Sequence, residues 1–221
     1  MVFGKIEYLN LLPFHIFMKR YAKTSRHNIT LNYKKGVPSK INADFLARRV
    51  DAAFISSVVV PRRQRRVKHA LGIIAKKEVL SVLLIPDSSF KSDNESATSN
   101  QLAKILKLQG EVLIGDKALK YYHDNPDSNF IDLADLWEEK YHCPFVFAQL
   151  VSHYHDKHIQ KLASHFLHTK IHIPQYLLKS ASQKTGVSTQ NILHYLKHIS
   201  YNMDTKAQQG LLRFKKLTMR Y

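Results

Sequence analysis

The first third of the chain alternates between two hydrophobic periods, and few folds satisfy both. Val2 to Leu9 has strand character, with Ile6 and Tyr8 alternating against Lys5 and Glu7. Leu12 to Lys23 then takes helical spacing with Pro13 in its first turn, so Asn10 falls at the junction. Ile29 to Tyr33 alternates as a second strand, and Ser39 has the chemistry of an N-cap for a helix whose apolar stripe is Ile41, Phe45 and Leu46. A third strand, Ala52 to Ile55, runs into Ser56 and Ser57. Strand and helix in alternation imply an α/β fold with a mainly parallel sheet covered by helices. Ligands of such sheets gather beyond the carboxyl ends of the strands, which makes Asn10, Ser56 and Ser57 candidate binding residues.

The middle of the chain reads as a second unit. Val79 to Pro86 is an apolar strand followed by a polar stretch, Asp87 to Thr98, and Thr98 or Ser99 begins a helix that continues to Leu108. Glu111 to Ile114 is a short strand ending in Gly115-Asp116, a helix Ala118 to His123 follows, and Pro144 to Ala148 is another apolar strand. These two apolar strands are the expected crossings between lobes: residues 1–83 form the first lobe, 84–147 the second, and 148–221 return to the first. From Tyr154 onward the pattern is helical, with Ile159, Leu162, Phe166 and Leu167 on one face, Pro174 opening and Gly186 closing a helix, and Ser188 and Asp204 as N-caps.

Composition narrows the function. Lys plus Arg number 34 against 17 Asp plus Glu, a net charge of +17 that attracts anions from a distance. The densest basic run, Arg62-Arg63-Gln64-Arg65-Arg66-Val67-Lys68-His69, would suit phosphates, yet no RNA-recognition or zinc-finger signature accompanies it. A small anionic substrate accounts for the sign of the charge, and nucleic acid is the weaker expectation. The longest apolar run, Val50 to Pro61, contains Asp51 and two serines and falls short of the roughly 18 residues of a membrane span. The N-terminus lacks the pattern of a secretory signal, and the single Cys143 cannot close an internal disulfide, so a cytoplasmic protein is expected. Thirteen histidines are present, but His153, His155 and His158 spread around a helix, and His194 and His198 have no acidic ligand beside them in sequence. No metal site is expected.

Several motifs in order carry a resemblance. Tyr8-Leu9-Asn10 with Pro13, Val37-Pro38-Ser39, Val50-Asp51-Ala52-Ala53-Phe54-Ile55-Ser56-Ser57, Leu80-Ser81-Val82, Ala97-Thr98-Ser99, Leu113-Ile114-Gly115-Asp116, and Asp132-Leu133 to Trp137 with Pro144 to Ala148 together resemble the chorismate dehydratase family of the futalosine route to menaquinone. Ala134 and Tyr141-His142 stand where that family usually shows glycine and Thr-Gly. The resemblance implies a two-lobed, type II periplasmic-binding-protein-like fold with a cleft between lobes. It also implies a cofactor-free elimination of water from chorismate, giving 3-[(1-carboxyvinyl)oxy]benzoate.

That chemistry removes the C3 hydrogen and the C4 hydroxyl of a dianion. Hydroxyls and helix N-termini can hold its carboxylates without arginine, which points to Ser39, Ser56, Ser57, Thr98 and Ser99 as binding residues, each equally able to serve as an ordinary cap or turn residue. Asn10 and Ser81 are the expected catalytic polar groups. For the base two readings stay open: Asp116, which also suits a cap, and the enolpyruvyl carboxylate of the substrate itself. A non-catalytic small-anion receptor on the same scaffold is the alternative to an enzyme.

Overall fold

A computed structural model describes residues 1–24, 32–60, 67–87, 89–154 and 157–219. Ile29 to Leu31 of the second expected strand, the arginines at 62, 63, 65 and 66, and His155 lie outside the described residues.

The elements run β1 Val2–Lys5, α1 Leu12–Thr24, β2 Asn32–Lys35, α2 Pro38–Leu46, β3 Ala52–Ser56, β4 Val67–Ala75 and β5 Val82–Pro86. They continue with α3 Ala97–Leu106, β6 Gly110–Ile114, α4 Gly115–Asp124, β7 Ile131–Asp132, α5 Leu133–Tyr141 and β8 Phe145–Ser152. Last come α6 Lys157–His168, α7 Gln175–Thr185, α8 Thr189–Tyr195, β9 Ile199–Asn202 and α9 Thr205–Thr218. The strands form two sheets, one ordered β2-β1-β3-β8-β4-β9 and a smaller one ordered β6-β5-β7.

The large sheet is mixed, not mainly parallel as the alternation suggests. β1 pairs in parallel with β2 and β3, whereas the β3–β8, β8–β4 and β4–β9 ladders are antiparallel. The chain leaves this sheet after β4, builds the small sheet, and re-enters through β8 in the opposite direction between β3 and β4. Periodicity carries no information about strand direction, so a re-entrant strand reads like any other. β9 is a second correction, because the tail is not helical throughout: Ile199-Ser200-Tyr201-Asn202 pairs along β4. No helix among the described residues is long and apolar enough to cross a membrane.

The core joins elements distant in sequence. Phe14 of α1 is fully buried and meets Phe54 of β3 and Phe166 of α6 edge-on, at ring separations of 5.0 and 5.2 Å. Truncating such a ring to alanine removes about 3–5 kcal/mol. The tail's caps are as expected: Ser188 accepts from the Asn191 N–H, Asp204 from the Ala207 N–H, and Gly186 ends α7 in the left-handed region.

Two other helix starts differ. α2 begins at Pro38, and Val37 rather than Ser39 stands at its N-cap, because proline's fixed φ suits the first helical position. Ser39 is therefore the second residue of the helix. α3 begins at Ala97, one or two residues before the expected start, capped by Ser96. His142, where the resembled family has glycine, ends α5 at φ +51, the left-handed geometry that glycine adopts without strain.

Candidate active site

Both sheets contribute to a cleft of about 610 Å³, measured out to its open mouth. From the large-sheet side come Ile6, Asn10, Phe54, Ser56, Ile73, Phe147 and Ala148; from the small-sheet side come Val82, Ser96, Ser99, Ile114 and Gly115. Ser81 lies at the step between the sheets, just before β5.

The step is shaped by Asp132. Its Oδ2 accepts the N–H groups of Val79 and Leu80 at 2.9 and 2.7 Å, and its Oδ1 caps α5 through Ala134 and Asp135. Leu80 is held at φ +61, and the Gly115 N–H donates to the Ser81 carbonyl. Burial pushes the Asp132 carboxyl up to about 6, opposed by those four amides. Val79 and Leu80 thus precede the regular strand expected over Val79 to Pro86.

Asn10 sits in a 3-10 turn, Leu9–Leu11, between β1 and α1. The turn is pinned twice: the Leu9 N–H donates to Asp116 Oδ1 at 3.0 Å, and the Tyr201 hydroxyl donates to the Asn10 carbonyl at 2.6 Å. Asn10 Oδ1 is buried and accepts no hydrogen bond. The Ser81 hydroxyl is 3.0 Å from that of Tyr195.

Ser56, at the carboxyl end of β3, is clamped by Asn42 of α2. Asn42 Nδ2 donates to Ser56 Oγ at 2.8 Å while Asn42 Oδ1 accepts the Ser56 N–H at 3.1 Å. The serine proton is left to donate into the cleft. Across the cleft, Ser96 Oγ accepts the Ser99 N–H and donates to Ser99 Oγ, and the positive end of the α3 dipole faces the same space.

The structure brings together Asn10, Ser56, Ser81 and Ser99, but not the other expected site residues. Ser57 is fully buried away from the cleft, its hydroxyl without a partner. Thr98 Oγ1 accepts the Val58 N–H at 3.3 Å, tying α3 to the turn after β3. Ser39 does not line the cleft, although its neighbour Pro38 does. Asp116 neither caps α4 nor lines the cleft; it faces an adjoining cavity with His15, Lys19 and Lys184, and burial pushes its carboxyl up to about 6. Sequence reasoning missed Asn42, Ser96, Asp132 and Tyr195. Only Ser96, with Ser99 three residues on, had a local signal.

Tyr8 separates the two spaces. Its hydroxyl donates to Glu95, its ring covers Gly115, and burial beside that carboxylate holds its pKa well above the usual range. At φ +64 a side chain on Gly115 would be strained, and its Cβ would lie 2.9 Å from the ring. Among the described residues lining the cleft Tyr8 alone titrates, so the lining holds no lysine, arginine, histidine or carboxylate.

Two sheets joined by paired crossings around such a cleft define a periplasmic-binding-protein-like α/β protein. The fold resembles that of protein AF1704 from Archaeoglobus fulgidus, at a TM-score of 0.72 and 10% identity over 99% of this chain and 96% of that one. It also resembles the Candida albicans CA3427 gene product, described as having the generic periplasmic binding protein fold, at a TM-score of 0.65, 10% identity and coverages of 100% and 90%. In sequence, the family model described as menaquinone biosynthesis matches residues 1–110 and 107–220. The chorismate dehydratase of Campylobacter jejuni subsp. jejuni serotype O:23/36 (strain 81-176) is 44% identical over 217 residues, covering 98% of this chain and 96% of that protein. The chain belongs to this menaquinone-biosynthesis family.

Proposed function

We propose that the protein is a carbon–oxygen lyase that removes water from chorismate to give 3-[(1-carboxyvinyl)oxy]benzoate. The observation that carries this reading is the cleft's lining of neutral hydroxyl and amide groups, in a chain 44% identical to a chorismate dehydratase. The net charge of +17 draws a dianion towards the surface, and Ser56, Ser99 and the α3 N-terminus hold its carboxylates without a desolvated cation. Thr98 supports that arrangement from behind by tying α3 to Val58.

Loss of the C3 proton sends charge through the ring double bond to the C1 carboxylate, where fixed donors stabilise it as an oxyanion hole does. Departure of the C4 hydroxyl then completes an aromatic ring. The base in this reading is the substrate's enolpyruvyl carboxylate, tethered beside C3 and gaining from proximity. That carboxyl carries the C3 proton to the departing hydroxyl, so one water leaves and the carboxylate is restored. Asp116 is already committed to the Leu9 N–H on the far side of Tyr8, which supports a positioning role for it.

The test is incubation of purified protein with chorismate while the benzoate chromophore is followed. Growth of the chromophore in proportion to enzyme supports a lyase; chorismate recovered unchanged from a saturable complex would make the chain an anion receptor.

A further inference from the structure

We propose that Tyr195 is a positioning residue that fixes the hydrogen-bond direction of Ser81, making its hydroxyl a donor towards the cleft. The inference rests on the functional reading above for its activity readout. Tyr195 ends α8, and its side chain is 1% exposed. It is not among the residues lining the cleft, yet its hydroxyl reaches one that is.

The direction follows from counting protons. A phenol oxygen has one proton to give and lone pairs to receive. Tyr195 is buried, Ser81 Oγ is the one hydrogen-bond partner of its hydroxyl among the described residues, and a buried O–H left without an acceptor is costly. The phenol proton then points to Ser81 Oγ, 3.0 Å away, and the Ser81 proton is turned outward into the cleft. One phenol thereby gives a carboxylate-bearing substrate an aimed donor before it binds. Preorganised polarity of this kind acts on the chemical step more than on affinity.

The experiment compares wild type, Tyr195→Phe, Ser81→Ala and the double variant in chorismate turnover, with thermal melts as a check on folding. Tyr195→Phe keeps the ring and loses only the hydroxyl, so kcat is expected to fall about 10- to 100-fold while KM moves less than about threefold. Because Tyr195 acts through Ser81, adding Tyr195→Phe to Ser81→Ala should lower the rate by less than about threefold more. A Tyr195→Phe enzyme within about twofold of wild type in kcat, or effects that multiply fully in the double variant, would overturn the proposal. Should Tyr195→Phe fold poorly with an unmatched serine, the double variant removes both partners, and its comparison with Ser81→Ala decides alone. Wild-type protein that binds chorismate without converting it would strike the functional reading instead, and the same four-way comparison made on chorismate affinity would still test Tyr195.

Discussion

The cleft and the adjoining cavity share Tyr8 as a wall, and their linings differ in kind. On one side stand Asn10, Ser56, Ser81, Ser96 and Ser99 among apolar side chains; on the other stand Lys5, Glu7, His15, Lys19, Asp116 and Lys184. The charged side looks the better trap for an anion, but its charges are largely spoken for. Glu7 is bridged by Lys5 and Lys35 and held down at about 2, while Asp116 serves the Leu9 amide. The difference teaches that, in the proposed reaction, attraction and chemistry are separate tasks. Long-range attraction needs only net charge. Stabilising charge as it develops needs fixed dipoles, and those in the cleft are fixed by partners outside it: Asn42 for Ser56, Tyr195 for Ser81.

If the neutral side carries the chemistry, Ser81→Ala or Asn10→Ala should lower kcat by about a hundredfold or more with the fold intact, the scale of a lost oxyanion-type donor. Chorismate turnover by a variant within about threefold of wild type would erase the distinction between the two spaces. Asn42→Ala attacks the cleft from behind. It strips the Ser56 N–H and Oγ of partners in a buried setting, so urea unfolding should show a loss of about 1–3 kcal/mol, with a higher KM for chorismate. Unchanged stability would mean that Ser56 needs no clamp.

The smallest effect is expected at Asp116, on the charged side. Asp116→Asn keeps an oxygen that accepts from Leu9, so turnover should stay within about threefold of wild type; a hundredfold loss would reinstate it as the base. Its titration gives a second handle. The folded carboxyl, at about 6 against an ordinary 3.8, holds its proton more tightly than the unfolded one. That stabilising contribution is complete below about pH 4 and is lost as pH rises through about 6. Thermal melts should show wild type losing stability relative to Asp116→Asn over that window and no further above about pH 7. A flat difference would mean that the carboxyl is solvated as freely in the folded chain as in the unfolded one.

Much of the fold was legible because its signals are local. Ser188 and Asp204 cap helices with amides three residues on, and the apolar run Ala52 to Ile55 is a strand whatever surrounds it. Ser39 was misread for the same reason, since Pro38 beside it started the helix first. β4 and β9 went unread because neither shows a strong pattern alone; β4 carries His69 and Gly72, and β9 has four residues and only β4 beside it.

Residue types and their order along the chain determined the α/β class and the family motifs, and pointed to Asn10, Ser56, Ser81 and Ser99 as candidate groups for a carboxylate-bearing substrate. Tertiary structure alone decided which of those groups share one cleft and how each is aimed. Ser56 is oriented by a residue 14 positions away, Leu80 by one 52 away, and Ser81 by one 114 away. A hydrogen-bond donor's identity is written in one residue, but its direction depends on which partner folding brings within about 3 Å, and no local pattern encodes that partner.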